Sequence, residues 1–121
     1  MTRVLVVDDD PDMAALLGQM AAMAGYEPTV VKNGEAALEA ARGTPPDVVL
    51  LDIMMSGLDG WAVYDRLRAV TVAPVVFVTA WHTAENAARA RDLGEGFMTK
   101  PLSPEDLTAH VEGALKRGAG S

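Results

Sequence analysis

The sequence lacks cysteine, is short of positive charge and contains no long hydrophobic run. Without cysteine, disulfide scaffolds, thiolate nucleophiles and cysteine-ligated zinc sites are excluded. Lys and Arg number 10 against 17 Asp and Glu, a formal net charge of −7, which argues against direct binding of a nucleic-acid backbone or an anionic membrane. The first apolar run, residues 4–7, is too short for a signal peptide or a membrane span. Together these absences predict a cytoplasmic domain.

The chain has enough apolar material for one domain. It contains 121 residues, of which 50% are hydrophobic, so a core can be buried without a disulfide or a structural metal. We therefore expect a single domain over residues 1–117. The glycine-containing segment that follows, 118–121, is expected to be either a flexible tail or the start of a linker.

Apolar runs rich in β-branched residues indicate the strands. Three continuous runs are typical of strands that are covered on both faces, namely residues 4–7, 48–51 and 75–78. Two weaker runs lie around residues 29–31 and 97–99. The first of these follows Pro28, which a sheet tolerates at its edge but not at its centre.

Segments with helical periodicity and helix-start signals separate the strands. In the first, apolar residues recur at helical spacing, namely Met13, Leu16, Leu17 and Met20. Asp10 before Pro11 predicts an N-cap followed by the first helical position. Ser103 and Asp106 resemble a capping box. The remaining helix starts are expected at Asn33, Asp59 and Thr83.

A strand followed by a helix, repeated five times, predicts an α/β fold with a doubly wound parallel sheet. The most apolar strands are the first, third and fourth, so we place them at the centre and the other two at the edges. The strand order 2-1-3-4-5, which is the flavodoxin-like and CheY-like order, satisfies this condition. In that order, ligands bind outside the carboxyl ends of strands one and three.

Charged and polar side chains follow the strands at that edge of the sheet. Asp8 and Asp9 end strand one and Asp52 ends strand three, so we expect their carboxylates to converge. Like charges so close raise one another's pKa unless a cation intervenes, and carboxylate oxygens are ligands that suit Mg²⁺. Thr79 ends strand four and Lys100 ends strand five, which adds a hydroxyl and an ammonium group.

This set of groups suits attack by a carboxylate on a metal-bound phosphoryl group. Asp52 is the expected nucleophile because it stands alone at the centre of the sheet, while Asp8 and Asp9 are placed to hold the metal. The lysine and the threonine would meet the charge on the transferred oxygens. Each residue taken singly is more often a turn, strand or surface residue. Their convergence at the ligand-binding edge favours a site.

Four motifs carry a family resemblance. They are VLVVDDD at residues 4–10, LDIMM at 51–55 followed by Asp59-Gly60, VTA at 78–80 and FMTKP at 97–101. At these spacings the chain resembles the receiver domain of bacterial two-component response regulators from about residue 3 to residue 117. The resemblance implies a switch controlled by phosphorylation. Such a domain is a phosphoacceptor that promotes its own phosphorylation and dephosphorylation, and is not an enzyme acting on a separate substrate.

The resemblance also implies a role for each matching residue of the site. Asp52 would accept a phosphoryl group from a histidine kinase or a phosphotransfer protein. Asp9 would bind Mg²⁺ directly, Asp8 would help through water, and the backbone carbonyl of Met54 would be a further ligand.

The same resemblance implies how phosphorylation would be read. Thr79 would turn inward to the phosphoryl group, Lys100 would pair with it, and Phe97 would be the aromatic switch residue. The bond between Lys100 and Pro101 would be the cis peptide of the family. The surface formed by helix four, strand five and helix five would then change and control a C-terminal output domain or a separate effector protein.

Two departures from the family pattern bear on this surface. The segment 94–96, Gly-Glu-Gly, places two glycines before Phe97, which is expected to raise the freedom of that loop. His110 and its neighbours in helix five include no arginine of the kind that forms dimer salt bridges in the OmpR-type subfamily. A phosphorylation-dependent dimer is therefore compatible with the family but doubtful in that specific mode. Trp61 is expected to pack at the surface.

Three alternatives remain open at this point. A haloacid-dehalogenase-like phosphatase would also use Asp52 as a nucleophile, but it needs a second aspartate two residues later, where this chain has Met54. A flavin-binding module would need a phosphate loop rich in Ser, Thr and Gly after strand one, where Asp8 and Asp9 would repel a phosphate. The third alternative is a pseudo-receiver that acts without phosphorylation.

Overall fold

The computed structural model describes residues 1–55, 59–80, 83–99 and 103–119, and within them strands and helices alternate without exception. The strands are β1 (Arg3–Val7), β2 (Glu27–Val31), β3 (Val48–Asp52), β4 (Val75–Thr79) and β5 (Gly96–Thr99). The helices are α1 (Pro11–Met23), α2 (Gly34–Gly43), α3 (Gly60–Arg68), α4 (Ala84–Asp92) and α5 (Pro104–Ala119). The predicted domain end at residue 117 stays a prediction, although α5 continues to Ala119.

The five strands form one parallel sheet in the order β2-β1-β3-β4-β5, which confirms the predicted topology. β3 and β4 are buried along their whole length, and β1 is buried after its first residue. β2, at the edge, has no fully buried residue. Its Pro28 lies opposite Val4, a position that an edge strand tolerates because proline cannot donate to a ladder on both sides.

Alternate residues of each strand feed two hydrophobic layers, one on each face of the sheet. Leu5 and Val7 pack in the layer with α2, α3 and Ala90 of α4. Val4 and Val6 pack in the other layer, with α1 and α5. Because both faces are covered, the central strands are apolar at every position. Among the described residues, none of the helices combines the length and the apolar character needed to cross a bilayer.

The predicted helix starts are confirmed by their hydrogen bonds. Side-chain oxygens of four N-cap residues accept from backbone amides of the first turn: Asp10, Asn33, Asp59 and Thr83. At the start of α5, the Ser103 amide donates to Asp106 Oδ2 at 3.2 Å, and the Asp106 amide donates to Ser103 Oγ at 3.1 Å. This reciprocal pair is a capping box. These caps fix where each helix begins, and so where each strand-end loop must turn.

Helix α1 packs through most of the predicted stripe, but Leu16 departs from it. Leu17 and Met20 are buried and Met13 packs against them, as the periodicity predicts. Leu16 is 41% exposed, so its predicted core position is wrong. Gly18 is buried instead, and a Cβ added there would lie 2.9 Å from Val30 Cγ2. The small residue therefore lets α1 approach β2 closely.

Candidate functional site

Three carboxylates meet at the carboxyl edge of the sheet. Asp8, Asp9 and Asp52 each place an oxygen so that the three oxygens lie within 4.8 Å of one another. Asp8 and Asp52 are 1% and 5% exposed, and Asp9 is half-buried. The pairing of β1 with β3 sets Val7 opposite Leu51. It brings Asp8 and Asp52 together because each is the next residue along the chain, Asp8 just after β1 and Asp52 as the last residue of β3. The predicted convergence of the carboxylates is therefore confirmed.

Backbone amides orient the two buried carboxylates. The Asp10 amide donates to Asp8 Oδ1 at 3.0 Å, and the Met54 amide donates to Asp52 Oδ1 at 3.1 Å. Each carboxylate accepts from the amide two residues ahead, as in an Asx turn. The chain thus turns sharply at the end of each strand, with the carboxylate inside the turn.

The loop after β3 is closed by a glycine that touches the Asp52 backbone. The Gly60 amide donates to the Ile53 carbonyl at 2.7 Å. A Cβ added to Gly60 would lie 2.6 Å from Ile53 Cα and closer still to the Asp52 carbonyl oxygen. Only glycine fits there, because real Cβ atoms do not approach backbone so closely. The start of α3 is therefore packed directly on the residue predicted to be the nucleophile.

Thr79 and Phe97 lie on the neighbouring strands as predicted. Thr79 is fully buried at the end of β4, and the register sets Asp52 opposite Val78, the residue before it. Phe97 on β5 lies opposite Phe77 and is half-buried. The hydroxyl and the aromatic ring are thus on the two strands that follow β3 in the sheet. Their predicted roles stay predictions.

The chemistry of this cluster fits a hard divalent cation. Carboxylate oxygens are ligands that Mg²⁺ prefers, and the three residues of the cluster supply them from two adjacent strand ends. Met54 is exposed, so its position in the loop beside Asp52 is reached by solvent. Lys100 and Pro101, with their predicted ammonium contact and cis peptide, lie outside the described residues.

Comparison with known proteins identifies the family. A family model described as the response regulator receiver domain matches residues 4–112. The chain belongs to this family. The match covers both acidic strand ends, Thr79 and Phe97, and it confirms the resemblance predicted from the four motifs. It assigns the receiver to two-component signal transduction, and the haloacid-dehalogenase-like phosphatase is not favoured.

Individual relatives support the same assignment. The receiver is 38% identical over 120 residues to the sensory transduction protein RegX3 of Mycolicibacterium smegmatis, covering 98% of this chain and 53% of RegX3. It is 37% identical over 116 residues to the DNA-binding response regulator MtrA of the same organism, covering 95% of this chain and 51% of MtrA. The receiver thus spans about half the length of the curated relatives it matches. The solved structure of the Vibrio cholerae chemotaxis protein CheY4 superposes with a TM-score of 0.86 at 26% identity, covering 95% and 99% of the two chains.

Trp61 is in the core of the receiver, so its predicted surface position is wrong. It is 8% exposed, and its ring centroid lies 4.4 Å from that of Phe77. Tyr64, one helical turn later, packs on the same ring at 5.2 Å. The spacing of residues 61, 64 and 67 was a signal that this stripe of α3 faces the sheet.

Glu95 anchors the loop before β5, which the sequence did not predict. Its Oε2 accepts from the Tyr64 hydroxyl at 2.7 Å, and its Oε1 accepts from the Val75 amide at 3.0 Å. Arg68 Nη1 lies 3.5 Å from the same carboxylate. Gly94 takes the positive φ of 75° that the turn requires. The two glycines therefore flank a carboxylate that ties the loop to α3 and β4.

The Tyr64–Glu95 hydrogen bond makes a prediction about alkaline stability. Burial, together with the bond to Glu95, raises the pKa of Tyr64 from 10.0 to about 12. The unfolded tyrosine therefore loses its proton first, and stability falls as the pH rises from 10 towards 12. We expect Tyr64→Phe to lower the free energy of unfolding by about 1 kcal/mol below pH 9, for the loss of one hydrogen bond. Urea unfolding at several pH values should show this difference shrinking above pH 10, and a constant difference would contradict the pKa assignment.

Proposed function

We propose that this receiver is a phosphorylation-dependent switch whose phosphoacceptor is Asp52. The observation that carries the proposal is the meeting of Asp8, Asp9 and Asp52 within 4.8 Å at the carboxyl edge of β1 and β3. The donor would be a histidine kinase or a phosphotransfer protein, and the receiver would promote its own phosphorylation and dephosphorylation. The cofactor would be Mg²⁺, held by the three carboxylates and the backbone carbonyl of Met54.

The proposed reaction is a phosphoryl transfer to a carboxylate oxygen. A lone pair on an Asp52 oxygen forms a bond to phosphorus as the bond from phosphorus to the donor imidazole nitrogen, or to the acetate oxygen of acetyl phosphate, breaks with its electron pair. The product is an acyl phosphate on Asp52, and the donor leaves as imidazole or acetate. Bound Mg²⁺ would neutralise charge on the transferred oxygens. The Met54 amide, 3.1 Å from Asp52 Oδ1, holds the carboxylate in place for the attack.

The proposed switch responds to the negative charge of the phosphoryl group through residues on and after β4 and β5. Thr79 would donate its hydroxyl hydrogen to a phosphoryl oxygen and Lys100 would pair with the phosphoryl group. Phe97 would change its side-chain position as Thr79 moves. Shifting such a domain from 1:99 to 99:1 takes about 5.5 kcal/mol of differential interaction, which charge-assisted hydrogen bonds in a partly desolvated site can largely supply. The surface formed by α4, β5 and α5 would then change.

The output of the switch is proposed to lie outside this domain. The curated relatives are about twice as long as this chain, and MtrA is named as DNA-binding. With a net charge of −7, the receiver itself is poorly suited to contact DNA or an anionic membrane. We therefore propose that it acts in the cytoplasm on an output domain joined after residue 117, or on a separate effector protein. A dimer that forms on phosphorylation is one way in which the receiver would control this output.

Intact mass spectrometry after treatment with acetyl phosphate tests the proposed function. We expect one phosphoryl adduct that requires Mg²⁺ and is absent from Asp52→Asn. The matched control is Asp10→Asn, which removes a neighbouring carboxylate but retains an N-cap side chain, since Asp10 caps α1 through the amides of Asp12 and Met13. This control should be phosphorylated like the wild type. A folded wild type that takes no adduct from acetyl phosphate or from any histidine kinase would favour the pseudo-receiver.

A further inference from the structure

Trp61 joins the acceptor loop to helix α4. On one side it follows Gly60, whose amide donates to the Ile53 carbonyl at 2.7 Å and where an added Cβ would collide with the Asp52 backbone. On the other side the guanidinium carbon of Arg89, on α4, lies 4.4 Å from the centroid of the Trp61 ring. The Trp61 side chain therefore contacts α4, and its backbone position is fixed by the packing of the adjacent Gly60 on the loop that holds the proposed phosphoacceptor.

The geometry of the Arg89 contact is that of a cation–π interaction. A guanidinium within about 6 Å of an indole centroid is attracted to the ring face. The ring is held from behind, because Trp61 is 8% exposed and lies 4.4 Å from Phe77, centroid to centroid. The ring cannot follow the guanidinium if α4 moves. A displacement of α4 away from α3 would therefore break the contact.

Helix α4 buries little of its own surface against the described part of the receiver. All of its residues are described, and Ala90 alone among them is fully buried. By comparison, α1, α2 and α3 each bury four or five residues, and the described part of α5 buries three. At its far end, α4 leads into Gly94 and the anchored Glu95. The middle of α4 is thus held on the receiver by the buried Ala90 and by the stack of Arg89 on Trp61.

We propose that the Trp61–Arg89 stack couples the position of α4 to the acceptor loop and opposes its displacement. The inference deepens the proposed function and rests on it, because it concerns how phosphorylation at Asp52 would reach α4. The Trp61–Arg89 stack would link Asp52 to α4 through α3. The proposed route through Thr79 and Phe97 uses β4 and β5 instead. Arg89 is a positioning residue in this account, since it does not touch the reacting atoms.

The experiment measures binding of beryllofluoride in the presence of Mg²⁺, with beryllofluoride as the probe for the phosphoryl group. The chain contains two tryptophans, Trp61 and Trp81. The protein is labelled with 5-fluorotryptophan, and a Trp81→Phe variant assigns the Trp61 resonance in ¹⁹F NMR spectra. Arg89→Gln removes the cation and should tighten the apparent affinity by about three- to tenfold, and Arg89→Lys by less. Arg91→Gln, which removes an exposed arginine from the same turn of α4, should remain within about twofold of the wild type.

A double-mutant cycle makes the test specific to the pair. If Trp61 and Arg89 act through their contact, Arg89→Gln should have little further effect on affinity in a Trp61→Leu background, which removes the aromatic ring. Equal effects of Arg89→Gln and Arg91→Gln, or full additivity with Trp61→Leu, would overturn the coupling while leaving the proposed function intact. A folded wild type that binds no beryllofluoride and takes no phosphoryl adduct would instead overturn the proposed function.

Discussion

Gly60→Ala is expected to destabilise the receiver by about 3 kcal/mol or more, at the upper end of the cost of overpacking. The added Cβ would meet the Asp52 carbonyl oxygen and Ile53 Cα, both of them backbone atoms. Neither can move without shifting the acceptor itself. We therefore expect urea unfolding at lower concentration, and a slower reaction with acetyl phosphate in whatever fraction remains folded.

Gly113→Ala is the matched control for this prediction. Gly113 lies in α5, and a Cβ added there would meet nothing within 4 Å. Alanine in place of glycine inside a helix is worth up to about 1 kcal/mol, so this variant should be more stable than the wild type. The two substitutions add the same methyl group and should move the unfolding midpoint in opposite directions. If Gly60→Ala were as stable as the wild type, the close packing of α3 on the Asp52 backbone would be wrong.

Mg²⁺ is expected to stabilise the wild type strongly and the variants of the acidic cluster hardly at all. A ligand that binds only the folded state, at a concentration of 100 times its Kd, adds about 2.7 kcal/mol to stability. Asp8, Asp9 and Asp52 would supply the binding oxygens. Removing one carboxylate from the set weakens the site, so Asp8→Asn should lose most of the gain. Thermal unfolding with and without Mg²⁺ measures the difference directly.

Asp10→Asn tests whether the effect of Mg²⁺ belongs to the cluster or to negative charge in general. Asp10 is adjacent in sequence, but its carboxylate caps α1, and asparagine caps a helix equally well. We expect its stabilisation by Mg²⁺ to equal that of the wild type. If Asp8→Asn and Asp10→Asn responded alike to Mg²⁺, the cation would be screening charge instead of occupying a site.

The sequence predicted the parts of this molecule that depend on local pattern. Runs such as residues 48–51 are typical of strands covered on both faces, and Asp10 before Pro11 is typical of a helix start. Once the strand order was set by which runs were most apolar, Asp8 and Asp52 had to meet. The acidic site was predictable because it is a consequence of topology.

Contacts between elements were the part that could not be predicted. The spacing of residues 61, 64 and 67 indicates that Trp61 faces the sheet, but nothing in that segment identifies Phe77 and Arg89 as its partners. Glu95 looked like one acidic residue between two glycines, yet its partners Tyr64 and Val75 are 31 and 20 residues away. Such pairings arise only when the chain folds, because sequence spacing carries no information about them.

Borohydride reduction followed by peptide mapping tests the central claim most directly. Borohydride reduces an aspartyl phosphate to homoserine, so the modified residue is marked by a permanent change of mass in its peptide. After treatment with acetyl phosphate and Mg²⁺, we predict homoserine at position 52 and unmodified aspartate at positions 8 and 9. Homoserine at position 8 or 9, with Asp52 intact, would contradict the assignment of Asp52 as the phosphoacceptor.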